Sequence, residues 1–93
     1  MMPDAQQSWW HIVQRVLREE WGFDARQLQP DTPLFAENLD SWMDWTELVQ
    51  TIADVAPMDP TRIAVGALRC GHDLAAALAE AFGEPNYFLH QDA

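Results

Sequence analysis

The sequence predicts an all-α fold: a small four-helix bundle with a long loop between helices one and two and a short third helix. Three observations predict it. Apolar residues recur at helical spacing in three separate segments, and Gly22, Pro57, Asp59-Pro60, Gly83 and Pro85 fall at the ends of those segments. No segment alternates apolar and polar residues, and none carries a hairpin turn.

The first helix is expected from Asp4 or Ser8 to Trp21, because Trp10, Val13, Val16 or Leu17, and Trp21 share one helical face. Gly22 is its stop. Arg15 and Arg18 stand near its carboxyl end, where positive charge complements the helix dipole, with Glu19 and Glu20 diluting the effect. Residues 22–39 hold Gly22, Pro30 and Pro33 among Asp, Asn and Thr, and show no sustained periodicity. They read as a connecting loop, anchored to the core by Leu28, Leu34, Phe35 and Leu39.

The second helix is expected from Ser41 to Val55 or Ala56, with Ser41 as cap and Asp44 completing a Ser-x-x-acid capping box. Trp45, Leu48 or Val49, and Ile52 form its apolar stripe; Asp44, Glu47 and Asp54 lie off that stripe. Asp59-Pro60 signals a third helix over about Pro60 to Val65, with Asp as cap and Pro at the first helical position. Gly71, His72 and Asp73 precede a fourth helix to about Phe82, whose Leu74, Ala77, Leu78, Ala81 and Phe82 fall together. Tyr87 to Ala93 reads as a C-terminal tail, so the domain spans 1–86 and the tail 87–93.

At 93 residues the chain is one domain, near the lower end of what a single core supports, and 48% hydrophobic residues with five Trp supply the area for that core. The net charge of −10 comes from fifteen carboxylates against five Arg and no Lys. Such a chain repels phosphate backbones and anionic lipid, so no nucleic acid and no membrane is expected as a partner, while basic protein surfaces are. A single Cys70 excludes an internal disulfide and suits a reducing compartment. There is neither an apolar run of membrane-spanning length nor the basic and apolar regions of a signal peptide, so a cytoplasmic monomer is the expectation.

No catalytic residues are assigned. His11, His72 and His90 are scattered and Cys70 has no second Cys beside it, which leaves no metal site. A Cys or Ser nucleophile would need a base and an orienting group that these residues do not supply. Function concentrates instead in Leu39-Asp40-Ser41-Trp42-Met43-Asp44-Trp45-Thr46-Glu47-Leu48-Val49, an Asp-Ser pair opening an acidic amphipathic helix. Glu37, Asp40, Asp44, Glu47, Asp54 and Asp59 occupy a stretch with no basic residue between Arg26 and Arg62. They read as a docking face for basic partners or as a solvated face that keeps the chain soluble.

This segment resembles the attachment site of the acyl and peptidyl carrier protein family, in which an Asp-Ser-Leu triplet opens the second helix. Two further pieces are similar to that family. Phe23-Asp24-Ala25-Arg26-Gln27-Leu28-Gln29-Pro30-Asp31 looks like its apolar-Asp-x-x-x-apolar-x-Pro-Asp loop segment, and Leu68-Arg69-Cys70-Gly71-His72-Asp73-Leu74 resembles the approach to its last helix. The resemblance covers about Trp10 to Phe82. It implies a 4'-phosphopantetheine cofactor on Ser41, carrying an acyl or aminoacyl thioester, in a domain that is not itself an enzyme. It also implies docking to fatty acid, polyketide or nonribosomal peptide enzymes, and to a phosphopantetheinyl transferase, through Asp40, Trp42, Met43, Asp44 and Glu47.

The register leaves an alternative open. If Pro30-Asp31 and Leu34 on one side and Asp44, Glu47, Leu48 and Val49 on the other are aligned without a gap, Trp42 takes the serine position and Ser41 the Asp position. Restoring Asp40-Ser41 makes the loop one residue shorter and Trp42 an insertion in the first helical turn. The alternative function is a degenerate carrier fold without the arm, acting as a docking or regulatory subunit.

Overall fold

The chain alternates helix and irregular backbone in the computed structural model, which describes residues 3–24, 29–31, 34 and 41–85, with the side chains of 41–43 excepted. Among these, α1 spans Asp4–Trp21, α2 Ser41–Val55 and α3 Gly71–Phe82, and there is no strand. The radius of gyration, 12.3 Å, is that of a folded unit of this length. The loop anchors Leu28, Phe35 and Leu39, and the tail 87–93, lie outside the described residues.

α1 starts at the earlier of the two expected positions. Gln7 N–H donates to the Pro3 carbonyl at 2.9 Å, and Asp4 places a carboxylate in the first turn. The helix ends where Gly22 adopts φ 71°, a left-handed conformation open to glycine without a steric penalty. Gly22 and Phe23 N–H groups then donate to the Arg18 and Leu17 carbonyls and close the last turn. Its buried face is wider than one stripe: Trp9, Trp10, Ile12, Val13, Val16 and Leu17 are all buried, and Trp21 is half-buried. Gln6 is buried beside them, and its Nε2 has no hydrogen-bond partner among the described residues.

α1 packs chiefly against α3, and to a lesser extent against α2. Two tryptophans make the first of these contacts. Trp9 Nε1–H donates to the Gly83 carbonyl at 2.6 Å, and its ring lies 6.4 Å from that of Phe82 at 52°. Trp10 lies against Gly71 at the other end of α3. α2 contributes Trp45, Leu48, Val49 and Ile52 to the core, as its sequence stripe predicts, and Ala56 just past its end is buried too.

The expected third helix over 60–65 is not formed as one element. Two single turns of 3-10 helix stand there instead, Pro60–Arg62 and Val65–Ala67. Asp59 does cap the first, but Ile63 leaves it with extended backbone, φ −100° and ψ 123°, and is buried in the core. Three α-helices and two 3-10 turns therefore replace the expected four helices among the described residues.

The last helix also begins earlier than expected. Gly71, His72 and Asp73 are its first turn, not its preface, and Cys70 is the cap residue. One of its early donors is satisfied from outside, His72 N–H by the Pro30 carbonyl at 2.7 Å, and the Asp73 carboxylate in the first turn accepts from Arg69 N–H, just before the helix, at 3.1 Å. With Leu34 N–H on the Arg69 carbonyl at 2.9 Å, these bonds pin the long loop to the start of α3. No helix among the described residues is long and apolar enough to cross a membrane.

Candidate functional site

α2 is fifteen residues long and Ser41 is its first. The first N–H groups of a helix have no intrahelical acceptor and carry the positive end of its dipole. A hydroxyl there stands where an attached phosphate is electrostatically favoured. Asp40 lies outside the described residues, as do the side chains of Ser41, Trp42 and Met43, so the expected cap bond of Ser41 falls outside them too.

Beyond the first turn the helix has two distinct outer sides. Glu47, Gln50 and Asp54 are exposed, and Asp44 is half-buried. At about 100° per residue, Glu47 and Asp54 project roughly 140–160° round the axis from Val49, which is buried. The carboxylates thus face away from the α2 side that meets the 3-10 turns. Glu37 of the acidic stretch lies outside the described residues.

On the opposite side a cleft of about 190 Å³ opens between α2 and the 3-10 turns. Thr46, Val49 and Gln50 line it from the helix, with Pro60, Thr61, Ile63 and Val65 across from them. Its surface is mainly apolar. The Thr61 hydroxyl on its wall is already engaged, donating to Asp59 Oδ1 at 2.6 Å, and Thr61 N–H donates to the same oxygen at 3.0 Å. These two bonds, with a smaller attraction from Arg62, hold the Asp59 carboxyl below its ordinary pKa. Arg62 itself lies 5.0 Å over the Phe82 ring and ties the 3-10 segment to α3.

Elsewhere two basic side chains, Arg15 and Arg69, serve local pairs. Arg15 Nε–H donates to Glu19 at 3.2 Å and Arg69 Nε lies 3.5 Å from Asp73, both one helical turn apart and on the surface. His11 and His72 are exposed and Cys70 is partly exposed, and no group of three metal-ligating side chains exists among the described residues. The cleft residues Thr46, Gln50 and Thr61 were not among the sequence-predicted site residues. Their signal was weak: one side of α2 carrying residues 42, 46, 49 and 50, and the Asp59-x-Thr61 pair that shapes the facing wall.

No family model, no curated protein and no solved structure matches this chain.

Proposed function

We propose that this chain is a carrier-protein-like domain that tethers an acyl or aminoacyl thioester on phosphopantetheine at Ser41. The observation that carries the reading is the start of α2 at Ser41 itself. In transfer, the Ser41 hydroxyl takes phosphopantetheine from coenzyme A, adenosine bisphosphate leaves, and the hydroxyl proton is released. The resulting phosphodiester sits at the positive end of the α2 dipole, which stabilises it by about 0.3–1 kcal/mol. The domain catalyses nothing; it presents the thiol of the arm to partner enzymes.

Recognition rests on the acidic side of α2. Glu47 and Asp54 are exposed on it, Asp44 continues it one turn toward Ser41, and Asp40 precedes Ser41 in the sequence. Basic patches on fatty acid, polyketide or nonribosomal peptide enzymes, and on a phosphopantetheinyl transferase, are the complementary surfaces. Helix order, the long loop pinned to the last helix and the acidic second helix support this over an unrelated helical module. A cytoplasmic monomer fits that role.

A second reading is favoured by Trp42 in the gapless register: an arm-less carrier fold acting as a docking or regulatory subunit. One experiment separates the two. Intact mass is measured after incubation with coenzyme A and a broad-specificity transferase, for the parent chain and for Ser41→Ala. A phosphopantetheine increment in the parent alone supports the tether. No increment in folded parent, with a known carrier loading alongside, overturns it in favour of the second reading.

A further inference from the structure

The cleft between α2 and the 3-10 turns has a floor and a rim of different character. Val49 and Ile63 are buried and form the floor, while Gln50 and Thr61 are exposed and form the rim. Its volume, about 190 Å³, is room for one aromatic ring, since an apolar cavity of about 150 Å³ takes up benzene. Water in a mainly apolar cleft finds few polar partners, so a ring that enters it gains by releasing that water. Negative charge stands outside the rim on both sides. At about 100° per residue, Gln50 lies between Val49 and the acidic side of α2, and the exposed Asp54 is roughly 40° further round and one turn along. Across the cleft, the Asp59 carboxylate accepts from the Thr61 hydroxyl at 2.6 Å and so belongs to the facing wall. Arg62 offsets part of its charge but lies over the Phe82 ring, at 5.0 Å from the ring centre. An apolar pocket with a carboxylate on each side is complementary to an apolar side chain with a cation on each side.

We propose that this cleft is the socket for a basic protein segment, which inserts one aromatic side chain between α2 and the 3-10 turns and sets an Arg or Lys on either side of it against Asp54 and Asp59. The ring supplies most of the affinity, as buried aromatic anchors ringed by polar groups do at protein interfaces. The flanking charges, exposed and screened by salt, supply orientation and speed of encounter. This deepens the docking part of the carrier reading and rests on it for what the partner is, an enzyme that works on the tether. The socket itself needs no tether, so docking and loading fail separately.

The test follows backbone amide NMR shifts of the unloaded full chain at low salt during titration with the peptide acetyl-Arg-Arg-Phe-Arg-Arg-amide. Two control peptides carry Gly in place of Phe, or Glu in place of every Arg. The Phe peptide is expected to move the Ile63 and Val65 amides to saturation. The Gly control is expected to bind about tenfold more weakly or worse and to leave those two amides in place, and the Glu control is expected not to bind. Val65→Lys, which puts a cation into the cleft, is expected to abolish the Ile63 shift. Asp54→Lys, at an exposed position outside the cleft, is expected to weaken binding by up to about fivefold, with the difference shrinking as salt rises; it decides alone if Val65→Lys does not fold. Equal binding of the Phe and Gly peptides, or of the Phe and Glu peptides, overturns the proposal, as does the absence of any saturable shift at Ile63 and Val65. Cleft amides that move with protein concentration before any peptide is added give the socket to a second copy of the chain and overturn it too.

Discussion

The six-membered ring of Trp10 lies directly on the backbone of Gly71, so closely that a β-carbon placed there would fall 2.7 Å from Cη2 and 2.9 Å from Cε3. The glycine is required by space and not by its backbone angles, in contrast to Gly22, whose φ of 71° meets open space. Two effects oppose each other in Gly71→Ala. Alanine favours a helix over glycine by about 1 kcal/mol in the interior and less in a first turn, whereas forcing an extra carbon into a packed contact costs about 1–3 kcal/mol. The neighbour is a rigid ring buried in the core, so the clash wins. A lower urea midpoint at unchanged slope is expected, with part of the loss recovered when Trp10→Leu is combined with it; an unchanged midpoint for Gly71→Ala alone would sink the account.

At the other end of α3, Trp9 joins two kinds of contact that substitution separates. Trp9→Phe keeps an aromatic ring near Phe82 but removes the hydrogen bond to the Gly83 carbonyl, and Gly83 is exposed enough for water to replace the donor. A loss of about 1 kcal/mol is expected, against about 3–5 kcal/mol for Trp9→Ala, which also leaves a cavity. Chemical denaturation of both variants reads this directly. Equal losses would mean that the bond, not the burial, dominates.

Gln6 gives a prediction of the opposite sign. Its side chain is buried, with an amide nitrogen that no described residue accepts from. A buried unpaired donor costs about 1–3 kcal/mol, and an apolar side chain of similar length removes that cost. Gln6→Met is therefore expected to raise the thermal midpoint. A fall would show that the amide has an acceptor in the folded chain.

The helical stripes were legible in the sequence because each is local: Val13, Val16, Leu17, Leu48, Ile52, Leu74 and Leu78 are all buried as their spacing predicts. What spacing could not reveal was anything decided across the chain. Trp9 falls off the stripe drawn through Trp10, yet both are buried because α3 offers one of them each end. The spacing set Gly71 before the last helix; it is the first residue of that helix, and its missing side chain is the room that Trp10 needs. Asp59-Pro60 correctly announced a helical turn; burial of Ile63 then drew the backbone out of it. For the site, the start of α2 at Ser41 could be read locally, but the cleft could not, since it exists only where Thr46, Val49 and Gln50 face a segment ten or more residues away.

Asp59 supplies the pH prediction. Its carboxyl titrates below the ordinary value in the folded chain, first because of the Thr61 hydroxyl, then the Thr61 N–H, with Arg62 adding a smaller attraction. A carboxyl with a depressed folded pKa adds stability above its unfolded pKa, and that increment disappears as pH falls through the folded one. The window therefore lies on the acid side of the ordinary 3.8. Carboxyl NMR titration should place Asp59 below an unstructured aspartate. Asp59→Asn should flatten the part of acid destabilisation that the parent shows there, and an identical acid profile for the two proteins would remove Asp59 from the account.

The acidic side of α2 makes the last prediction, which rests on the tether reading. Glu47 is exposed and lies far round the helix from the cleft, so reversing its charge leaves the core stripe and the cleft lining untouched. If a basic transferase reads this side, Glu47→Arg replaces an attraction with a repulsion. One exposed pair is worth about 0.2–1 kcal/mol, so losing it lowers kcat/KM for loading of Ser41 by up to about fivefold, and the new repulsion adds to that. Salt separates this from a packing defect. Screening shortens the reach of exposed charges to about 10 Å at 0.1 M and about 3 Å at 1 M, so the gap between parent and variant should narrow as salt rises while both remain folded. A gap that persists unchanged at high salt would point to lost contact area, and no gap at low salt would move the docking face off this side of α2.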